Sequence, residues 1–204
     1  MINLDYEIKL WNSGINFVAG VDEAGRGPLA GPVVAAAVIF QPGIEIDGVN
    51  DSKQLSEKER ERLFDQIQEH SLSIGVGMAD HCVIDETNIL NATFRSMHEA
   101  ICKLKYEPEH LLIDGPHFPG ANIPFTKIVD GDSKCFSIAA ASIIAKVTRD
   151  RLMVEFDKRY PQYGFAKHKG YGTKVHLEAI RKHGPCAIHR RSFRMPMRLV
   201  DVNG

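Results

Sequence analysis

The chain has 204 residues, a net charge of −1 and 44% hydrophobic residues, enough for one domain with a real core or one domain with a small appendage. No apolar run nears the roughly 18 residues of a membrane span, and the first residues lack the apolar stretch of a secretory leader, so no membrane role is expected. The four cysteines, Cys82, Cys102, Cys135 and Cys186, form no C-x-x-C pair, which argues against a zinc site or a disulfide scaffold and for buried thiols in a reducing cytoplasm.

Charge is unevenly spread. Residues 146–198 hold 14 Lys and Arg against 4 Asp and Glu, and the rest of the chain 11 against 22. An acidic part suited to cations precedes a basic part suited to phosphates.

Residues 17–23 read as a strand that ends in adjacent carboxylates, Asp22 and Glu23. Such a pair repels itself and resists burial, and a hard divalent cation reverses both costs. The Gly25-Arg26-Gly27 turn follows, offering backbone N–H groups and a guanidinium to a phosphate or a sugar. Residues 33–40 read as a second strand, antiparallel to the first. Alternation sends Asp22 and Glu23 to opposite faces, so their sharing a metal calls for a bend at the strand end or help from a main-chain carbonyl.

Ser56 and Glu59 form a capping-box pattern that opens a helix running to His70. Residues 71–79 read as a strand. Leu90, Phe94, Met97, Ile101 and Leu104 then trace one apolar helix face. The short run HLLIDG reads as a buried strand ending at Asp114, and a right-handed crossover makes it parallel to the strand before the helix. Residues 123–129 read as a further strand, followed by Asp132. A long helix is expected over 137–160, opened by small residues. A last helix covers 174–183 and stops at Gly184-Pro185.

The expected architecture is α/β: a mixed sheet flanked by helices, antiparallel strands first and parallel ones after, then a mostly helical, basic C-terminal part over about 160–204. Pattern alone leaves several α/β topologies open. Asp130 and Asp150 rival Asp132 on spacing, Asp150 being expected to pair with a nearby arginine. Lys53, Lys134, Lys146, Lys167, Lys169 and Arg191 are candidate phosphate contacts. His176, His183 and His189 are expected to be structural, since hard cations prefer oxygen.

The string DEAGRGPLAGPV strongly resembles the opening motif of the ribonuclease HII family. LLIDG, GDSKCFSIAAASIIAKVTRD and KHKGYGT extend the resemblance from about residue 17 to about 193. It implies a ribonuclease H-like fold in a single catalytic domain over 1–204. It implies an endoribonuclease that cuts the RNA strand of RNA–DNA hybrids and cuts 5′ to ribonucleotides embedded in duplex DNA. Two Mg2+ or Mn2+ ions about 4 Å apart would serve the hydrolysis, leaving 5′-phosphate and 3′-hydroxyl ends. The motifs carry a four-carboxylate site onto Asp22, Glu23, Asp114 and Asp132. They carry ribonucleotide recognition onto Gly25, Arg26, Gly27 and Tyr171. A cytoplasmic monomer is expected, and the alternative is a non-catalytic RNA–DNA hybrid-binding module.

Overall fold

A computed structural model describes residues 2–194. Its centre is a five-stranded sheet of order β3-β2-β1-β4-β5. Strand β1 (Val18–Ala24) pairs antiparallel with β2 (Val33–Phe40), and β2 antiparallel with β3 (Ser71–Ala79). Strand β4 (His110–Asp114) runs parallel to β1, and β5 (Phe125–Ile128) parallel to β4. All eight residues of β2 are buried, as its unbroken apolar run requires of a strand covered on both faces.

The sequence reading made β3 and β4 parallel partners. They do point the same way, but β4 docks beside β1, so the connection passes over two strands. Its helix, α4 (Ile89–Cys102), lies on that face, packing Met97, Ala100 and Ile101 on Ala35, Ala37 and Ile39. The expected strand over 123–129 is shorter, beginning only after Pro124, which has no N–H for a ladder.

The opposite face is covered by α5 (Phe136–Arg159), whose Ala139, Ala140 and Ala141 are fully buried with Ala36 and Val38. The approach is close enough that a β-carbon at Gly20 would strike the Ser137–Ile138 backbone. Helix α2 (Glu57–His70) flanks α5 on this face, its start closed by the reciprocal Ser56–Glu59 capping box. Three short helices had no sequence signal long enough to read: α1 (Asp5–Trp11), α3 (His81–Thr87) and α6 (Phe165–His168). The first supplies buried Glu7, which accepts the Ser137 N–H at 2.7 Å and caps α5.

Helix α7 (Lys174–His183) completes the C-terminal part. Tyr163, Phe165, Ile180 and Ile188 pack with Met153 of α5 and Ala30 of the loop after β1, so this part rests on the turn beside the acidic strand end. Residues 195–204 of the expected domain lie outside the described residues. The cysteines depart from expectation: Cys135 is buried and Cys186 half-buried, but Cys82 and Cys102 are exposed. Cys82 sits at the start of short α3 and Cys102 on the last turn of α4, each on the solvent side of its helix.

Candidate active site

Strands β1 and β4 are neighbours with Val21 opposite Ile113, so Asp22 and Asp114 both fall at the same end of the sheet centre. Strand β1 stays regular through Glu23, which lies opposite Ala35, and no bend brings the two acids together. Asp22 faces α5, beside Ser142, while Glu23 faces the α4 side, beside Phe94 and Met97. They meet because the cleft wraps around the strand end. The chain turns only afterwards, at Gly25 (φ +97°), where a β-carbon would strike the Arg149 side chain.

The cleft holds about 220 Å³ and is lined by Asp22, Glu23, Asp114, Lys53, Lys146 and Tyr171, among others. Asp22 is only 4% exposed. Burial raises its carboxyl well above the usual range, and the negative charges of Glu23 and Asp114 add to the rise. Burial also raises Glu23, partly offset by Arg26, whose Nη1 lies 3.3 Å from Glu23 Oε1. Asp114 is raised by burial too, against the pull of the Gly131 N–H that donates to its Oδ1 at 2.7 Å. That bond ties the end of β4 to the 3₁₀ turn Gly131–Ser133, which carries buried Asp132. Asp132 Oδ2 accepts from Lys53 Nζ at 2.8 Å.

Buried acids raised by burial and by one another are the donor set a hard divalent cation relieves. Asp22 has no salt-bridge partner among the described residues, and the partners of Glu23 and Asp132 are half-exposed Arg26 and mostly exposed Lys53. Asp22, Glu23 and Asp114 therefore fit Mg2+ or Mn2+, and Asp132, buried on the adjoining 3₁₀ turn but not lining the cleft, could add a fourth carboxylate. They are set wider than a collapsed cluster. Among the described residues only Asp80, His81 and Cys82 bring three ligand atoms within 4.8 Å of one another, and they are sequence neighbours at the surface with mixed donors.

Gly25, Arg26 and Gly27 form one rim of the cleft, and the Tyr171 ring stands against Gly27, where a β-carbon would lie 3.6 Å from Cε1. A wider groove of about 660 Å³ adjoins, sharing Lys146 and Tyr171 and adding Lys167 and Lys169. Lys167 is exposed. Lys169 bends back to the Ala166 carbonyl and lies 3.7 Å from Glu57. Lys134 and Arg191 line neither cavity. Lys134 caps the Val129 carbonyl at 2.6 Å, and the Arg191 backbone N–H binds Asp85 at 2.8 Å. Asp130 is exposed in the left-handed region, and Asp150 pairs with Lys146 at 2.8 Å rather than with an arginine, one helical turn apart.

Two arginines escaped the sequence reading. Arg149 and Arg190 are fully buried, their guanidinium hydrogen bonds go to main-chain carbonyls, and Arg190 also lies over the Phe193 ring at 5.0 Å. Both sit in the basic stretch, where nothing marks a buried guanidinium apart from a surface one.

The mixed sheet, its flanking helices and the carboxylates at the ends of its adjacent parallel strands define a ribonuclease H-like protein. The family profile of ribonuclease HII matches residues 19–195. Ribonuclease HII of Caldanaerobacter subterraneus is 57% identical over 188 residues, covering 92% of this chain and 78% of that one. Ribonuclease HII of Acholeplasma laidlawii is 56% identical over 191 residues, covering 94% of both chains. The crystal structure of ribonuclease H2 from Pyrococcus horikoshii superposes with a TM-score of 0.73 at 29% identity, covering 87% of this chain and 94% of that one. The chain belongs to the ribonuclease HII family, and is by that membership an endoribonuclease of the ribonuclease H kind.

Proposed function

We propose that the enzyme hydrolyses the RNA strand of RNA–DNA hybrids and cuts 5′ to ribonucleotides embedded in duplex DNA, leaving 5′-phosphate and 3′-hydroxyl ends. One observation carries the reading: Asp22, Glu23 and Asp114 share a cleft with the 25–27 turn and Tyr171. An acidic centre for hydrolysis and a sugar-sized recognition rim thus face the same space.

Asp22, Glu23, Asp114 and Asp132 are the proposed ligands of Mg2+ or Mn2+, which when bound supply an activated water and neutralise charge on the phosphate and the departing oxygen. The remaining work falls to the chain itself. The backbone of Gly25, Arg26 and Gly27 approaches the ribose without side-chain obstruction, and Tyr171 stacks from the other side while its hydroxyl bonds. The 2′-hydroxyl is what distinguishes RNA from DNA at such a rim. Lys53 and Lys146 offer ammonium groups to the backbone near the cut, and Lys167 and Lys169 extend that field along the groove. Lys134 and Arg191 lie outside the cleft and the groove and take no part there.

Among the described residues no helix is long and apolar enough to cross a membrane. We place the enzyme in the cytoplasm, acting as a monomer through a single domain whose basic part from about residue 160 grips the duplex. The deciding experiment incubates the protein with a duplex bearing one ribonucleotide, with Mg2+, with Mn2+ and with a chelator. Cleavage only with metal, at the ribonucleotide, is expected. Metal-dependent binding without cleavage would favour the non-catalytic hybrid-binding module instead.

A further inference from the structure

The dipeptide His189-Arg190 touches both halves of the proposed ribose rim. The Arg190 guanidinium donates to the carbonyls of Gly25 at 2.6 Å, Arg26 at 2.9 Å and Gly31 at 2.9 Å. It has no carboxylate partner within salt-bridge distance among the described residues, and burial pushes its pKa down to about 9. In a trans peptide the C=O and the following N–H point opposite ways. Drawing the Gly25 and Arg26 carbonyls toward Arg190 therefore turns the Arg26 and Gly27 N–H groups away from it.

His189 reaches the other half. The Cys186 N–H donates to His189 Nδ1 at 2.9 Å, nearer than the Cys186 carbonyl at 3.3 Å, so that nitrogen accepts and the proton sits on Nε2. His189 Nε2–H then donates to His176 Nε2 at 3.1 Å. His176 carries its own proton on Nδ1, which donates to the Tyr171 carbonyl at 2.9 Å. The Tyr171 N–H is held as well, by the His168 carbonyl at 2.9 Å, while 46% of the residue remains exposed. Both imidazoles are buried, which keeps them neutral. Leu29 joins the halves directly: its N–H donates to Gly170 at 2.8 Å and its carbonyl accepts the Arg190 N–H at 2.9 Å.

We propose that His189 and Arg190 are positioning residues that lock Tyr171 and the 25–27 turn in register, so that one ribose is read by both. This rests on the reading that Tyr171 and the turn recognise the ribonucleotide. A buried guanidinium that binds two carbonyls of the rim and one of the loop behind it, beside an imidazole chain that ends on Tyr171, is placed to hold both halves.

The test is a double-mutant cycle on the metal-loaded enzyme cutting a duplex with one ribonucleotide. His189→Leu and Arg190→Lys should each lower kcat by tenfold or more, on the order expected for small misplacements, with KM for the duplex little changed. His189→Gln, which keeps a donor, should recover part of the loss. In a Tyr171→Ala background, His189→Leu should add nothing. Full additivity there, or full activity of His189→Leu, would overturn the proposal. Full activity of Tyr171→Ala would instead overturn the ribose reading beneath it. Should the variants not fold, nitrogen NMR of the unaltered enzyme decides: Nδ1–H on His176 and Nε2–H on His189 are expected. The reverse tautomers, or an imidazolium at neutral pH, would refute the arrangement.

Discussion

Lys53 Nζ stands 2.8 Å from Asp132 Oδ2, pairing a mostly exposed cation with a carboxylate that is 7% exposed. The sequence suggests a phosphate for Lys53 and a metal for Asp132, yet the two side chains are bonded to each other. The carboxylate holds the Lys53 ammonium charged, above its ordinary pKa. If Asp132 is a metal ligand, as proposed, Lys53 would compete with the ion for the same carboxylate oxygen.

Lys53→Met should therefore separate stability from metal affinity. Leaving Asp132 without its donor should cost about 1 kcal/mol in the metal-free protein. With the competing cation gone, the rise in Tm on adding Mn2+ should exceed that of the unaltered enzyme. Calorimetry with and without Mn2+ checks both, and an equal or smaller metal shift would show that Lys53 does not compete.

Asp114→Asn removes charge from the centre of the acidic cluster while keeping the acceptor for the Gly131 N–H. Cleavage should fall by at least a hundredfold, and metal-free Tm should hold or rise because mutual repulsion is relieved. Near-normal turnover at saturating Mg2+ would remove Asp114 from the ligand set.

The pH dependence of metal-free stability carries two opposed slopes. Asp22 is raised well above its ordinary value, so the folded chain keeps a proton that the unfolded chain releases, and stability falls as pH rises above the ordinary carboxylate range. His176 is lowered from 6.5 to about 4, so below 6.5 the unfolded chain takes a proton the folded chain declines, and stability falls as pH drops toward 4. Asp22→Asn should be more stable than the unaltered protein at neutral pH, with the difference closing as pH falls. Urea titrations across that range test it, and a difference independent of pH would contradict the raised carboxyl.

The acidic site was legible where it is local. Asp22 and Glu23, the 25–27 turn and the Ser56 cap are each written within a few residues, and the structure puts them at a strand end, a rim and a helix start. What depended on distance was not legible. Nothing near His110–Asp114 says that it pairs with β1 rather than β3, because that choice is made by how α4 packs over the sheet. Arg149 and Arg190 looked like surface bases, since their partners are carbonyls up to 165 positions away and carry no side-chain signature. Lys134 shares a motif with Lys146 of the cleft, but its side chain turns to the Val129 carbonyl, and Arg191, next to buried Arg190, lines neither cavity.

The groove lysines differ in the structure although the sequence treats them alike. Lys167 is exposed in the groove with no ion-pair partner among the described residues, whereas Lys169 is folded back onto Ala166 and Glu57. Lys167→Ala should weaken binding to all duplexes similarly and reduce the slope of log affinity against log salt by about 1. Lys169→Ala should change that slope less. Fluorescence anisotropy over a salt series checks both, and a loss confined to ribonucleotide-containing duplexes would contradict a phosphate role for Lys167.

The most direct measurement is the chemistry of the cut ends. Metal-assisted attack by water at an RNA–DNA junction should leave a 5′-phosphate and a 3′-hydroxyl, with the 2′-hydroxyl engaged by Tyr171 and the 25–27 turn rather than acting as nucleophile. The buried His176 and His189 bind each other and line neither the cleft nor the groove, so they offer that nucleophile no base. End-group analysis of a labelled duplex cut in Mg2+ should find only 5′-phosphate and 3′-hydroxyl termini. A 2′,3′-cyclic phosphate would contradict the account.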